Sequence, residues 1–188
     1  MSTRLPVLAA ACLLAAAPAR AQSRPPVAFV VEGALELGGD DLLKVGFTNG
    51  GSQTVKAGQG GTLAVGAEAM PFGTMPVRVR GTVGFKFVGT AADNANIFFT
   101  RFPVEALMSY VLPGGAHVGA GYTVHLAPRL HGDGFLPDRS FDTAHGPTAE
   151  VGWKWVALTY TALSYRDEAG VTFDGSVPGV SFTYRIAR

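Results

Sequence analysis

Three histidines and three aspartates lie close together in the chain, and these are residue types that carry metal or acid–base chemistry. They are His125, His131, His145, Asp133, Asp138 and Asp142. Zinc sites use three or four such ligands at short characteristic spacings, and no such spacing occurs here. The segment HGDG also supplies too few oxygens in register for a calcium loop. The pattern therefore predicts a solvated polar loop over 127–145, with no metal and no bound cofactor.

A second set of charged residues is spread along the chain, where each member alternates with apolar neighbours. The set comprises Glu32, Glu36, Glu68, Arg78, Arg80, Lys86, Arg101, Glu105, Glu150, Lys154 and Arg185. A buried ion costs several kcal/mol unless it is paired and hydrogen-bonded. If these residues share one interior, their near-balance of sign predicts a network of ion pairs that fills it.

The elements that would position these residues are strands, because apolar and polar residues alternate along most of the chain. Eight strands are predicted, at 27–37, 59–70, 76–88, 97–111, 116–126, 147–154, 156–166 and 179–188. A longer excursion between the first two contains turn residues and predicts a small hairpin of its own. In each strand one face is aliphatic or aromatic and the other carries the charged set.

The connections between these strands alternate between long polar loops and tight turns. In a transmembrane barrel, tight turns face the periplasm and long loops face outside. Strands of about ten residues match what a tilted strand needs to cross a bilayer. Closure also leaves no sheet edge in hydrocarbon. We therefore predict an all-β fold, an eight-stranded antiparallel up-and-down transmembrane β-barrel.

The two faces decide which side of the barrel meets lipid. Eight strands leave an interior just wide enough for side chains to fill it. With the charged face inside, the apolar face contacts the bilayer. The opposite arrangement, a soluble periplasmic barrel, would use the apolar face to line a lipid-binding cavity, and this remains an alternative.

The N-terminal segment predicts export. Arg4 precedes an apolar run over 5–17, and Ala19-Arg20-Ala21 follows as a small-x-small site, so 1–21 is predicted to be a cleaved signal peptide. The run is too short for a membrane-spanning helix. Residues 22–188 then form one domain, in which 13 basic residues (15 less Arg4 and Arg20) face 14 acidic ones. That balance gives no basic face for nucleic acid.

The whole mature chain resembles the small outer-membrane β-barrel domains of Gram-negative bacteria, of the OmpA-like and OmpW-like kind. The signal peptide, the eight alternating segments and the last strand carry the resemblance. Gly179, Phe182 and Tyr184 match the spacing of the signal that the barrel-assembly machinery recognises, although this chain continues past the usual terminal aromatic to Arg188. The resemblance implies an outer-membrane location and contact with outer-membrane lipid and lipopolysaccharide.

Some barrels of this kind are lipid-modifying enzymes, and the sequence offers little support for that activity. A lipid A deacylase would use a His-x-Ser pair, which does not occur in this chain. His131, Asp133 and Ser140 could form a catalytic set, but a polar loop commonly contains such residues. A nucleophile also needs a base within hydrogen-bond reach and a third group to orient it. The sequence therefore predicts that the protein is not an enzyme.

Together these patterns predict a small integral outer-membrane barrel with a charge-plugged lumen. Its loops would serve envelope integrity or surface interaction. The alternatives are a narrow, porin-like channel or transporter for small solutes, including apolar ones, a lipid-modifying enzyme, and the soluble lipid-binding barrel. The oligomeric state is not predicted.

Overall fold

The computed structural model describes residues 27–46, 51–73, 75–90, 97–134 and 137–186. The predicted signal peptide, 1–21, lies outside these residues. Apart from one short 3-10 turn, Pro113–Gly115, the regular structure described is all strand. No helix in the described part of the chain is long and apolar enough to cross a membrane.

Thirteen strands are described. They are β1 (Ala28–Glu36), β2 (Asp41–Gly46), β3 (Ser52–Lys56), β4 (Gly60–Ala69), β5 (Val77–Gly89), β6 (Phe98–Val111), β7 (Ala116–His131), β8 (Arg139–Ser140), β9 (Ala144–Trp153), β10 (Val156–Thr161), β11 (Ser164–Arg166), β12 (Thr172–Asp174) and β13 (Val177–Ile186).

Eight of these strands close into a barrel. The order around it is β1, β4, β5, β6, β7, β9, β10 and β13, every pairing is antiparallel, and β13 pairs with β1. Each of the eight therefore has two hydrogen-bonded neighbours, which satisfies the backbone along both sides of every strand. The predicted eight-stranded, antiparallel, closed barrel is confirmed.

The connections define two ends of the barrel. At the turn end, the links are residues 70–76, 112–115 and 154–155. At the loop end, the longer links carry the hairpin β2–β3, the short strand β8 and the hairpin β11–β12. The predicted alternation of tight and long connections, and the small hairpin after the first strand, match this arrangement.

Two predicted strand ends differ from the structure by five residues. The strand predicted at 156–166 ends at Thr161 as β10, and Ser164–Arg166 forms the separate strand β11. The other difference lies in β7, which was expected to end at 126. The strand continues to His131 through a bulge, where the pairing register with β6 shifts and Ala127 adopts a φ of 45°. Ala127 is followed by Pro128, which lacks the N–H that a ladder needs. A bulge absorbs that loss without ending the strand.

A hydrophobic cluster occupies the loop end, and part of it comes from the segment predicted to be a solvated polar loop. The cluster comprises Val55, Ala57, Val88, Ile97, Phe99, Leu130, Phe141, Ala144, Leu163 and Tyr165. We call this cluster the apolar cap. Leu130, Phe141 and Ala144 lie within 127–145, so the prediction of a fully solvated loop there is wrong. Burial of these isolated apolar side chains stabilises the long connections against the barrel.

A charged interior beneath an apolar cap

The alternation of each barrel strand places one set of side chains inside the barrel. Of the predicted charged set, Glu32, Glu68, Arg78, Arg80, Lys86, Arg101 and Glu150 are buried, Glu36 and Glu105 are partly buried, and Lys154 and Arg185 are exposed. Buried charges come from β1, β4, β5, β6 and β9. The interior therefore joins strands that are far apart in sequence.

Arg80 is the centre of the middle level of the interior. Its Nη2 lies 2.9 Å from an oxygen of Glu150, 3.3 Å from Glu32 and 3.9 Å from Glu105. Its Nη1 donates a hydrogen bond to Thr183 Oγ1 at 3.1 Å. One guanidinium thus holds together carboxylates from three strands through Nη2, while its Nη1 binds a hydroxyl on a fourth strand.

Small polar side chains complete this level, and sequence analysis did not identify them. Ser109 donates to Glu150 at 2.6 Å, and the Nε2 atom of His117 lies 3.6 Å from the same carboxylate. Thr183 donates to Glu32 at 3.2 Å, so its hydroxyl joins that acid to Arg80. These residues occupy inward positions in the strand alternation, which is the one signal that could have found them.

The next level towards the loops contains a second ion pair. Lys86 Nζ lies 2.7 Å from Glu36, and Thr62 donates to the same carboxylate at 3.3 Å. A cavity of about 50 Å³ separates this level from the Arg80 level. Because its lining is rich in threonines and carboxylates, the cavity has the room and the polarity to hold a few water molecules.

Arg101 lies at the top of the interior, and its environment differs from the ion pair that was expected. It is fully buried and donates to the backbone carbonyls of Ala57 at 3.3 Å and Gln59 at 2.5 Å. Its guanidinium carbon sits 4.2 Å from the centre of the Phe99 ring and 5.8 Å from that of Tyr165. Backbone carbonyl oxygens and aromatic rings therefore surround the Arg101 guanidinium. Arg101 thus connects the charged interior to the apolar cap.

At the turn end, one carboxylate serves two arginines. Glu68 accepts a hydrogen bond from Arg185 Nε at 2.5 Å, and Arg78 Nε lies 3.5 Å from its other oxygen. Lys154 was predicted to face the interior but is exposed in the turn after β9, with its ammonium 4.2 Å from the centre of the Trp153 ring. The strand ends at Trp153 rather than at 154, and the two-residue turn removes Lys154 from the strand alternation.

The three histidines considered as metal ligands lie in different surroundings. His125 is buried and its Nδ1 is 2.5 Å from the Tyr165 hydroxyl. His131, the last residue of β7, contacts Asp138 at 3.1 Å, and His145 stacks on Tyr122 on the outer wall with a 2.6 Å hydrogen bond. Among the described residues, no group of three or more histidines, cysteines or acids is placed to hold a metal ion.

The three residues of the predicted assembly signal divide between the two faces of β13. Phe182 and Tyr184 are exposed on the outside, and Phe182 stacks on Trp155 with ring centres 5.7 Å apart. Gly179 faces inward, where an added Cβ would lie 2.6 Å from the Cγ atom of Glu36. Glycine therefore makes room for the Glu36 side chain. The role of the three in assembly stays a prediction.

No protein-family model matches the chain, and no curated protein matches it either. The likeness to OmpA-like and OmpW-like barrels therefore rests on the closed eight-stranded antiparallel architecture. That architecture is compatible with a small outer-membrane protein.

Proposed function

We propose that this protein is an integral outer-membrane β-barrel of the Gram-negative envelope, inserted with the turn end towards the periplasm. The observation that carries the proposal is the inverted distribution of side chains. Leu63 and Leu158 are 65% and 61% exposed on the outer wall, whereas Lys86 inside is 1% exposed. A bilayer supplies the apolar contact that such a wall needs and tolerates no free strand edge.

The energetics of the outer wall favour lipid over water. Burying a large aliphatic or aromatic side chain is worth about 1.5–3 kcal/mol. The exposed side chains occur on neighbouring strands, for example Val65 on β4 beside Val83 on β5. A continuous apolar surface of this kind marks a membrane or protein contact rather than a solvated face.

Within the membrane, the proposed role is structural: a plugged barrel that supports envelope integrity and presents its loop end for surface interaction. The Arg80 cluster, the Lys86–Glu36 pair and the apolar cap support a plug, since they occupy the interior around a small cavity of about 50 Å³ between the charged levels. A water-filled pore requires a wider barrel. A narrow channel would require these buried ion pairs to separate, and a soluble lipid carrier would require an apolar interior.

The proposal includes no catalytic activity. In the loop set considered for catalysis, His131 is hydrogen-bonded to Asp138, and Ser140 lies on β8 opposite Arg129. A lipid-modifying role would show as a change in the mass of lipid A when the protein is expressed. We expect no such change, and a new lipid A species that disappears in the S140A variant would contradict the proposal.

Heat-modifiability tests the membrane barrel directly. Outer membranes are washed with urea, and the protein is run on a detergent gel with and without boiling. We expect a urea-resistant band whose mobility shifts only after boiling, because a closed barrel resists unfolding in cold detergent. A urea-extractable band without a shift would overturn the proposal in favour of a soluble barrel.

Planar-bilayer recording separates the plugged barrel from the channel. The reconstituted wild-type protein is expected to give no stepwise conductance. Steady conductance steps would instead support the channel alternative. The R80M variant is recorded beside the wild type, because it lacks the central guanidinium and the contacts that this group makes across the middle of the interior.

A further inference from the structure

The turn end of the barrel carries more positive than negative charge, unlike the middle level of the interior. An open pocket of about 530 Å³ lies there, bordered by the ends of β4, β5 and β13 and by the turn after β9. Three cations, Arg78, Lys154 and Arg185, line it together with one carboxylate, Glu68. In the middle level the balance is reversed, because Arg80 faces three carboxylates.

Glu68 does not satisfy both arginines that approach it. Arg185 takes the short hydrogen bond, while Arg78 is left with a 3.5 Å contact. Arg78 is nearly fully buried, and its Nε and Nη2 atoms have no hydrogen-bond partner; the Glu68 oxygen 3.5 Å from Nε is likewise without one. Unsatisfied buried donors are costly, and more so on a charged group. An anion bound against Arg78 would supply the missing acceptors.

The rim of the same pocket is apolar and aromatic. Met70, Trp155 and Tyr184 line it and are exposed. Tryptophan and tyrosine favour the level of lipid head groups, where one end of the ring is wet and the other apolar. A ligand that suits this pocket therefore carries a negative group for the cations and an apolar portion for the rim.

We propose that this pocket binds the phosphate group of an anionic glycerophospholipid. Guanidinium groups match phosphate oxygens in a two-point geometry, and a nearby ammonium adds a point charge. The acyl chains would leave the pocket past Trp155 and Tyr184 onto the outer wall. The lipid as the source of the phosphate rests on the proposed membrane function, whereas a phosphate site as such does not.

The test uses the full-length mature chain refolded in detergent and in vesicles. Inorganic phosphate is titrated by isothermal calorimetry as the first probe. In the second, vesicles hold equal amounts of phosphatidylglycerol and phosphatidylcholine, and the lipid retained by the barrel is measured by native mass spectrometry. We expect retention of phosphatidylglycerol over phosphatidylcholine, and competition by inorganic phosphate.

Three variants make the test specific. R78Q is expected to weaken binding about tenfold, the size of effect typical for one charged hydrogen bond. K154Q changes an exposed turn residue, and it is expected to weaken binding about threefold. K44Q, at an exposed cation in the loop-end hairpin, is the matched control and should bind as the wild type does. Because Lys154 is exposed and Arg78 is buried, K154Q is expected to fold even if R78Q does not, so it tests the site independently.

Each remaining outcome decides one part of the proposal. Unchanged phosphatidylglycerol retention in both K154Q and R78Q overturns the site. An equal loss in K44Q overturns it as well, because general surface charge would then explain the binding. Phosphate binding that depends on Arg78 without lipid enrichment assigns the site to free phosphate and overturns the lipid source. The same phosphate binding in a protein that shows no heat shift supports the site and overturns the membrane function.

Discussion

The loop end and the middle of the barrel interior are both filled with buried side chains, but they use opposite chemistry. At the loop end, the rings of Phe99, Phe141 and Tyr165 pack with their centres 5.3–6.3 Å apart, and Tyr165 meets the other two edge to face. In the middle, Arg80 is surrounded by Glu32, Glu105 and Glu150. The first region gains stability from removal of apolar surface from water, and the second depends on the pairing of charges.

The two regions therefore determine different features of the fold. Apolar packing tolerates changes of shape if volume is kept. An ion cluster is less tolerant, because loss of one partner leaves another charge buried and unpaired. We infer that the middle level fixes the register of β1, β5, β6 and β9, whereas the apolar cap fixes the long connections onto a barrel that is already closed.

The largest expected effect comes from breaking the middle level. Arg80→Met keeps much of the side-chain volume but leaves three carboxylates without their cation, and we expect a loss of about 3–5 kcal/mol. Lys56→Met is the matched control, because its ion pair with Asp41 at 2.7 Å is exposed and should contribute no more than about 1 kcal/mol. Urea unfolding from lipid vesicles, followed by tryptophan fluorescence, measures both. Equal losses would show that the buried cluster adds nothing that a surface pair lacks.

We expect disruption of the apolar cap to affect the long connections rather than the barrel. Phe141→Ala removes a buried ring that contacts Phe99 and Tyr165, with an expected loss of about 3 kcal/mol. We expect faster proteolysis of the long connections while the heat shift of the barrel is retained. Phe72→Ala, at an exposed ring of the turn end, should leave proteolysis unchanged. If Phe141→Ala also abolished the heat shift, the cap and the barrel would form one cooperative unit. That would contradict the separate roles inferred for them.

Much of the architecture could be predicted because strand alternation and turn residues are local signals. They identified the eight barrel strands, the alternating connections and the inward face. The apolar cap could not be predicted, since Phe141 stands alone in a polar segment and only the fold brings it against Tyr165. Lys154 was misplaced because β9 ends one residue earlier than predicted, so Lys154 lies in the turn and no longer follows the strand alternation.

The partners of the interior charges were also beyond the sequence. Alternation assigns Arg101 to the inside, yet only the three-dimensional arrangement shows that backbone carbonyls and aromatic rings surround it. Arg80 and Glu150 are 70 residues apart in the chain, so no local pattern links them. Whether a side chain lies inside the barrel follows from its place in the strand alternation. Which residue it pairs with depends on how the strands are aligned with one another.

A charge placed on the outer wall is expected to cause an intermediate loss of stability, smaller than the loss expected from changes in the interior. Leu63→Arg places a charge on the outer face in the middle of β4, and we expect a loss of about 2 kcal/mol in vesicles. Leu37→Arg, just beyond the loop end of β1, is the control and should cost less, since the penalty falls towards the membrane surface. Equal and negligible losses, measured by urea unfolding, would indicate that no bilayer surrounds this wall.

The smallest expected effect concerns the hairpin β11–β12, outside the barrel wall. The Asp174 carboxylate accepts hydrogen bonds from Ser176, which hold the pKa of Asp174 below its usual value. Because the folded pKa is depressed, this contribution is fully present above the ordinary aspartate pKa of about 3.9 and is lost as pH falls through the lower folded value. Exposure to solvent keeps it to a few tenths of a kcal/mol. The Ser176 amide resonance should titrate with a midpoint below the ordinary value, and Asp174→Asn should remove the titration. A midpoint at or above the ordinary value would contradict the hydrogen-bonded arrangement of this hairpin.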